Sequence, residues 1–513
     1  MLLVVLAASA AETPKRGGIL RAGYVSEFKS MDPAKGFDGD AIPYIKLLFR
    51  GLIDYDDGTG LAPDQAEDWS ISPDGKTYTF HLKPGIRFAN GREVEAADYV
   101  YSLERILNPD TGSIGQTYYL DILGAREFID GKEKHVRGLS APDKRTLVIE
   151  LKAPTYTFRY VMAMAFATPV PREVVEKYGA EFQSHLSGTG PYRLAEWRKG
   201  MRWRFERNPY YTGTDGYFDG VDIMIGGDEA LFTMMLQRGE LDRVSASPAQ
   251  AILFRRDPKL RSWLLPIDTA NTDYLFMNVE MKPFDDARVR QAINYAINKE
   301  RLLRVTGGFA VVAHGVVPPS IPWTNTTLPQ YEYNPEKARA LLAEAGYPKG
   351  FRIPLWFGLD ARVFKPMAEA IQQDLQAIGV QVELRSANYN AFQVKAETRH
   401  QVEFGIWGWM LDYPDPSDFL DVLLSGERIT ETDCNNAAFY NSSEVNRLLA
   451  QAAGTVELPE RTRLFRLAEN KVLEDAPWVP LIHEQIPVLY HPRLHGTQPH
   501  PVWLWRYEKM WLE

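Results

Sequence analysis

The sequence predicts an α/β protein of at least two domains, and three observations carry that expectation. The chain has 513 residues, more than a single hydrophobic core usually serves. Residues 351–384 read as strand, helix, strand: a strand from Phe351 to Phe357, then Met367, Ile371, Leu375 and Ile378 on one helical face, then alternating Val380, Val382 and Leu384. That spacing predicts a βαβ unit with a parallel pair. Third, residues 402–420, VEFGIWGWMLDYPDPSDFL, pass from an aromatic strand straight into a rigid polar turn.

The aromatic strand alternates through Phe404, Ile406, Trp407 and Trp409, as a buried strand should. Gly405 and Gly408 interrupt it, and glycine inside a strand marks close approach of another group to the backbone. Asp412, Tyr413, Pro414, Asp415 and Pro416 then stop further pairing. Ligands of α/β sheets sit beyond the carboxyl ends of strands, where the Asp412 carboxylate could face an ammonium group. An Asx turn, with Asp412 bonding its own backbone, is the other reading of the same residues.

Composition is that of a globular protein, 45% hydrophobic and 24% charged. The net charge of -9 is spread along the chain, and no basic tail or arginine-rich run points to a nucleic-acid partner. Cys434 is the only cysteine, so no intramolecular disulfide forms and no thiol follows the apolar start to carry a lipid. Residues 1–10, MLLVVLAASA, are too short to span a bilayer, which takes roughly 20 apolar residues. Ending in Ala8-Ser9-Ala10, they fit a secretory signal with an A-x-A cleavage site. The usual basic n-region is missing, which leads us to expect a truncated start.

Taken in order, Gly17-Gly18 leads into a strand over 19–25, and helical spacing follows over 42–48. The turn Ser72-Pro73-Asp74-Gly75 precedes a strand with Tyr78, Phe80 and Leu82 on one face. Pro84-Gly85 and Asn90-Gly91 turn the chain again. A helix then starts near Ala96, with Tyr99, Val100, Leu103 and Ile106 on its apolar face and Asn108-Pro109 at its end. Further on, Asn334-Pro335 is an N-cap with proline at the first helical position, and Gly346 is placed to end that helix. Leu458-Pro459 opens the last long helix, through Ala468 and Val472 to Leu473.

The run W-S-x-S-x-D-G-K-x-Y-T-F-x-L-x-x-G-I-x-F-x-x-G, followed by A-x-D-Y-V-x-S-x-x-R, is carried here by Trp69, Asp74, Gly75, Tyr78, Phe80, Gly85, Phe88, Gly91, Asp98 and Arg105. With it come Gly188-Thr189-Gly190-Pro191-Tyr192, Trp197, Arg207-Asn208-Pro209, Gly239-Glu240-Leu241-Asp242 and the run 289–297. Together they resemble solute-binding protein family 5, the dipeptide- and oligopeptide-binding periplasmic proteins of ABC importers. The pattern departs at Glu95, where the family has a threonine; glutamate is a poor N-cap, so either the cap moves or a fraction of a kcal/mol is lost.

The resemblance implies a two-lobed Venus-flytrap architecture. Residues 11–269 would form a large lobe I with an extra subdomain, and residues 488–513 would return to it. Residues 270–487 would form lobe II. Crossover segments near 271–278 and 480–489 would form the hinge. It also implies that Asp412, the aspartate of a W-x-x-D motif, pairs with a peptide's α-ammonium group. Arg362 resembles the arginine that dipeptide binders set against the ligand carboxylate; a solvated surface arginine is the alternative. Trp409 and Trp407 either wall the pocket or fill the core. Thr189 and Gly190 make either a ligand contact or a tight turn near the cleft.

Enzyme signatures are sparse. There is no G-x-S-x-G elbow, and His483-Glu484-Gln485-Ile486-Pro487 lacks the second histidine of H-E-x-x-H. Asp412 and Asp415 have the residue types of a glycosidase pair, but nothing in the sequence sets them apart as acid and base. His491, His495 and His500 are separated by Pro492 and Pro499, which break any helix that could align them on a metal. No catalytic residue, metal or cofactor is expected. The expectation is a monomeric periplasmic binding protein that captures short peptides and delivers them to an ABC permease in the inner membrane. A non-peptide cargo (a sugar, an opine or a metal chelate) and a periplasmic hydrolase are the alternatives.

Overall fold

The structure, a computed structural model, describes residues 13–36, 41–321, 325, 328, 329, 331–359, 361 and 363–513. The apolar run 1–10 and Arg362 lie outside the described residues. Two lobes are built on one continuous path of strands. It runs from Gln381–Ala387 through Arg352–Gly358, Phe404–Met410 and Asn271–Met277 to Trp478–Tyr490. From there it continues through Arg243–Ser245, Ile19–Tyr24, Gly220–Ile225 and Arg202–Arg207 to Tyr192–Arg198.

The 13-residue strand Trp478–Tyr490 joins the two halves of that path. Its first residues pair with Asn271–Met277, and its last pair with Arg243–Ser245 and Leu264–Asp268. Such a strand must be apolar on both faces, and its sequence, WVPLIHEQIPVLY, is apolar in ten of its thirteen positions.

The expected βαβ unit is present: Arg352–Gly358 and Gln381–Ala387 pair in parallel, with the helix Phe364–Gln376 between them. Strand alternation sends Leu275 and Met277 into one core with Val289, Leu355 and Met367, and Tyr274 and Phe276 into a second core with Phe419, Leu448 and Phe465. Asn334 caps its helix by accepting from the Lys337 N–H at 2.9 Å. At Glu95 the helix start is secured from the other side: Asp98 accepts the Glu95 N–H at 2.9 Å, while the Glu95 carboxylate pairs with Lys144.

The signature run of the first half forms a separate four-stranded antiparallel sheet, Ala66–Ile71, Thr77–Leu82, Thr146–Glu150 and Leu139–Asp143, covered by the helix Ala96–Leu107. Tyr78, Phe80, Tyr99 and Leu103 are buried beneath it. Among the described residues no helix is long and apolar enough to cross a membrane.

Candidate functional site

Two adjoining cavities open where the halves of the large sheet meet. One, of about 680 Å³, is lined by the end of the first strand and the segment after it (Tyr24, Ser26, Phe28), by Phe232, and by Glu484 and Ile486 of the crossover strand. The other, of about 410 Å³, is lined by Asp273, Tyr389, Trp409, Asp412 and Glu484. Val363 and Glu484 line both, so the two are parts of one cleft.

Asp412 reaches the smaller cavity because the Phe404–Met410 strand ends two residues before it. The strand lies between Asn271–Met277 and Arg352–Gly358, and its glycines are required there. A Cβ at Gly408 would stand 2.4 Å from Asp273 Oδ1, and one at Gly405 would stand 2.7 Å from the Phe276 ring. Past the strand, the Asp412 N–H donates to Asp418 Oδ2 at 2.9 Å, and Asp412 Oδ2 accepts from the Tyr118 hydroxyl at 2.5 Å. Burial pushes the Asp412 carboxyl up to about 6, while the Tyr118 bond opposes the rise. The Asx-turn reading does not describe this residue, since its carboxylate is engaged by Tyr118 from the other half of the chain.

Asp415 has a different role. It forms a two-toothed ion pair with Arg461, at 2.6 and 3.1 Å, and both residues are at most 1% exposed. Ser417 donates its hydroxyl and its N–H to Asp415 Oδ1. The turn that aims Asp412 is therefore anchored to the helix Leu458–Asp475. This arrangement also removes the glycosidase pair, because Asp415 is fully committed to an arginine and has no access to the cleft.

Asp273 supplies a third carboxyl group. It is 3% exposed, and burial, with Glu484 next in importance, pushes it well above the usual carboxylate range. Asn271 donates to Asp273 Oδ1 at 3.1 Å and accepts the Glu484 N–H at 2.7 Å, tying the two crossover strands together.

Of the remaining sequence candidates, Trp409 lines the smaller cavity and its indole N–H donates to Asp418 Oδ2 at 3.4 Å. Trp407 is core: it is 5% exposed and packs on Phe392 and Tyr389. Thr189 and Gly190 are not among the residues that line these two cavities, and Thr189 lines a smaller one with Arg50 and Asp64. The Thr189 hydroxyl bonds both the N–H and the C=O of Arg50, and a Cβ at Gly190 would stand 2.3 Å from the Leu47 carbonyl. This loop is glycine-rich so that it can lie against the helix Ile42–Leu48. His500 is buried and accepts from the Val502 and Trp503 N–H groups, and His495 stacks on Trp511. Among the described residues no group of three or more His, Cys, Asp or Glu side chains is placed to hold a metal.

Sequence reasoning missed Tyr118, the segment from Tyr24 to Phe28, Asp273 and Glu484. Tyr118 sits in GQTYYLD, which carries no periodic or motif signal. Glu484 was visible only as part of an incomplete zinc motif, although its place in a long two-sided apolar strand marked a crossover.

Residues 60–431 match the family model described as bacterial extracellular solute-binding proteins, family 5 Middle. The glutathione-binding protein GsiB of Escherichia coli O1:K1 / APEC is 30% identical over 478 residues, covering 92% of this chain and 90% of its own. The solved clavulanic acid biosynthesis oligopeptide binding protein 2 superposes with a TM-score of 0.90 at 27% identity, over 97% of this chain and 96% of that one. The periplasmic binding protein DppA from Helicobacter pylori, solved with the peptide STSA, gives 0.82 at 26% identity, over 97% and 99% of the two chains.

Proposed function

Because the chain belongs to the bacterial extracellular solute-binding proteins of family 5, we propose that it captures short peptides in the interlobe cleft and presents them to an ABC permease. The observation that carries the reading is Asp412, a partly buried carboxylate beside Trp409 at the wall of the smaller cavity. An ammonium group that enters this cavity loses water and needs an opposite charge. The relatives' names, a glutathione-binding protein and peptide-binding proteins, support the same class of cargo.

In this reading residues 11–269 and 488–513 form one lobe and 270–487 the other. The strands Asn271–Met277 and Trp478–Tyr490 act as the hinge. The protein is exported, works as a monomer and catalyses no reaction; closure excludes water and creates the surface the permease reads. Arg362, which lies outside the described residues, is the proposed partner of the ligand carboxylate on the family resemblance alone.

Calorimetry with a dipeptide, a tetrapeptide and glutathione, alongside product analysis, tests the proposal. Stoichiometric binding without turnover is expected. Turnover would make the protein a hydrolase, and binding of an oligosaccharide or metal chelate in place of all three peptides would change the cargo.

A further inference from the structure

Away from the cleft lining, Arg243 is 0% exposed, and its Nε, Nη1 and Nη2 make no hydrogen bond. Its sequence neighbour Asp242 is not its counter-ion. Asp242 Oδ1 accepts from Arg493 Nε at 2.6 Å, and Oδ2 accepts from the Arg21 N–H at 2.7 Å. A phenolate does not serve either: Tyr490, directly opposite Arg243 in the antiparallel pairing, has its phenol pushed up by burial and stays protonated. The guanidinium instead lies 4.2 Å from the Trp505 ring centroid and 5.6 Å from that of Tyr24.

Two further buried donors face the same place, the Trp505 indole N–H, which has no partner, and the hydroxyl of Tyr490, which faces Arg243 itself. Three segments distant in sequence therefore converge, the strand Arg243–Ser245, the end of the crossover strand and the C-terminal tail. They bring a full positive charge and several donors; the buried carboxylate of the tail, Glu508, is paired with Arg506, and among the described residues no carboxylate pairs with Arg243. Aromatic faces offset only part of the desolvation of a guanidinium. Water would satisfy the donors but leave the charge uncompensated.

We propose that Arg243, Trp505 and Tyr490 form a buried binding site for a small inorganic anion of the halide class, separate from the solute cleft. One negative charge balances one guanidinium, and an acceptor-only ion answers N–H and O–H donors. Aromatic walls favour a small, weakly hydrated anion. Tyr24 lines the larger cavity on its own side, while Arg243 and Trp505 line neither cavity, so the anion is a structural ligand and not the cargo. It clamps the tail to the strand that carries the hinge and stabilises the fold by mass action.

Crystals of the full chain grown in sodium bromide, with data collected at the bromine edge, test the site directly. An anomalous peak within contact of Arg243, Trp505 and Tyr490 is expected; a refined water and no peak would overturn the proposal. In solution, the Tm of the parent should rise with chloride when chloride replaces gluconate at constant ionic strength. Arg243→Met should abolish that rise. Should that variant not fold, Trp505→Phe keeps an aromatic face, loses the N–H and should flatten the chloride dependence. A bromide peak with a Tm indifferent to chloride would mark an adventitious ion only, and would also overturn the inference.

Discussion

The Tyr118 hydroxyl donates to Asp412 Oδ2 at 2.5 Å, joining residues 294 positions apart across the cleft. Nearby, Tyr160 stacks on Tyr413 with ring planes 6° apart, and the Arg461 guanidinium lies 4.3 Å from the Tyr156 ring centroid. These contacts connect the two halves of the molecule apart from the crossover strands. A hydrogen bond to a charged group contributes about 1.5–3 kcal/mol. Tyr118→Phe should therefore open the unliganded protein, and small-angle scattering should report a larger radius of gyration than for the parent. An unchanged radius, with unchanged peptide affinity, would mean the bond does not span moving parts.

Asp412→Asn keeps the shape and removes the charge. Breaking a buried charge pair in a complex typically costs about 2–5 kcal/mol, so affinity for free-amine peptides should fall tens- to thousands-fold by calorimetry. An N-acetylated peptide should bind the parent poorly and lose nothing further in the variant. Equal affinity of parent and variant for the free-amine peptide would remove Asp412 from the site.

The same carboxyl group sets a pH dependence. Burial raises Asp412 to about 6 in the folded protein, against about 3.9 in an unfolded chain. A raised acid contributes stability that is complete below the unfolded value and is lost as pH rises through the folded one. An arriving ammonium favours the ionised form and reverses the shift. Peptide binding should therefore release a proton near pH 5 and none near pH 8, and affinity should fall as pH drops below about 6. Calorimetry in buffers of different ionisation enthalpy measures the proton count, and a count of zero at pH 5 would contradict the assignment.

Asp415→Ala removes the carboxylate that pairs with the buried Arg461. Such a change typically costs about 3–5 kcal/mol, to be read by denaturant unfolding. Because Asp415 has no access to the cleft, the folded fraction should keep the parent's preference for free-amine over acetylated peptides.

The two tryptophans should separate in the same way. Trp407→Ala removes a core ring and should cost about 3–5 kcal/mol of stability, with peptide affinity preserved in the folded protein. Trp409→Ala should do the reverse, weakening binding with a smaller stability loss. Equal effects of the two on affinity would place both against the ligand.

Features that depend on near neighbours in the chain were legible without a structure. The strand at 404–410, the βαβ spacing of 351–384 and the Asn334 cap are set by local sequence and local hydrogen bonds, and each is present, although the strand is buried on both faces and does not alternate. Gly408 also announced its purpose, because a strand glycine tells of a close neighbour even when the neighbour, Asp273, is not yet known. The position of Asp412 just past a strand end was likewise a local fact. Which groups would meet it was not. Tyr118 arrives from a lone tyrosine pair, Tyr118-Tyr119, with no periodic signature, and Glu484 arrives on a strand whose partners lie more than 160 residues earlier. Thr189 and Gly190 read as either a ligand contact or a tight turn, and the neighbour that the turn packs on, the helix Ile42–Leu48, lies far away in sequence. Asp412 and Asp415, three residues apart and chemically alike, part company only through tertiary structure. One faces a cavity and a hydroxyl, while the other is sealed against Arg461. Sequence alone determines which backbone conformations and faces a segment favours. The environment of each carboxylate is decided by long-range register, because burial of the two sheet faces sets which distant side chains come within hydrogen-bonding reach.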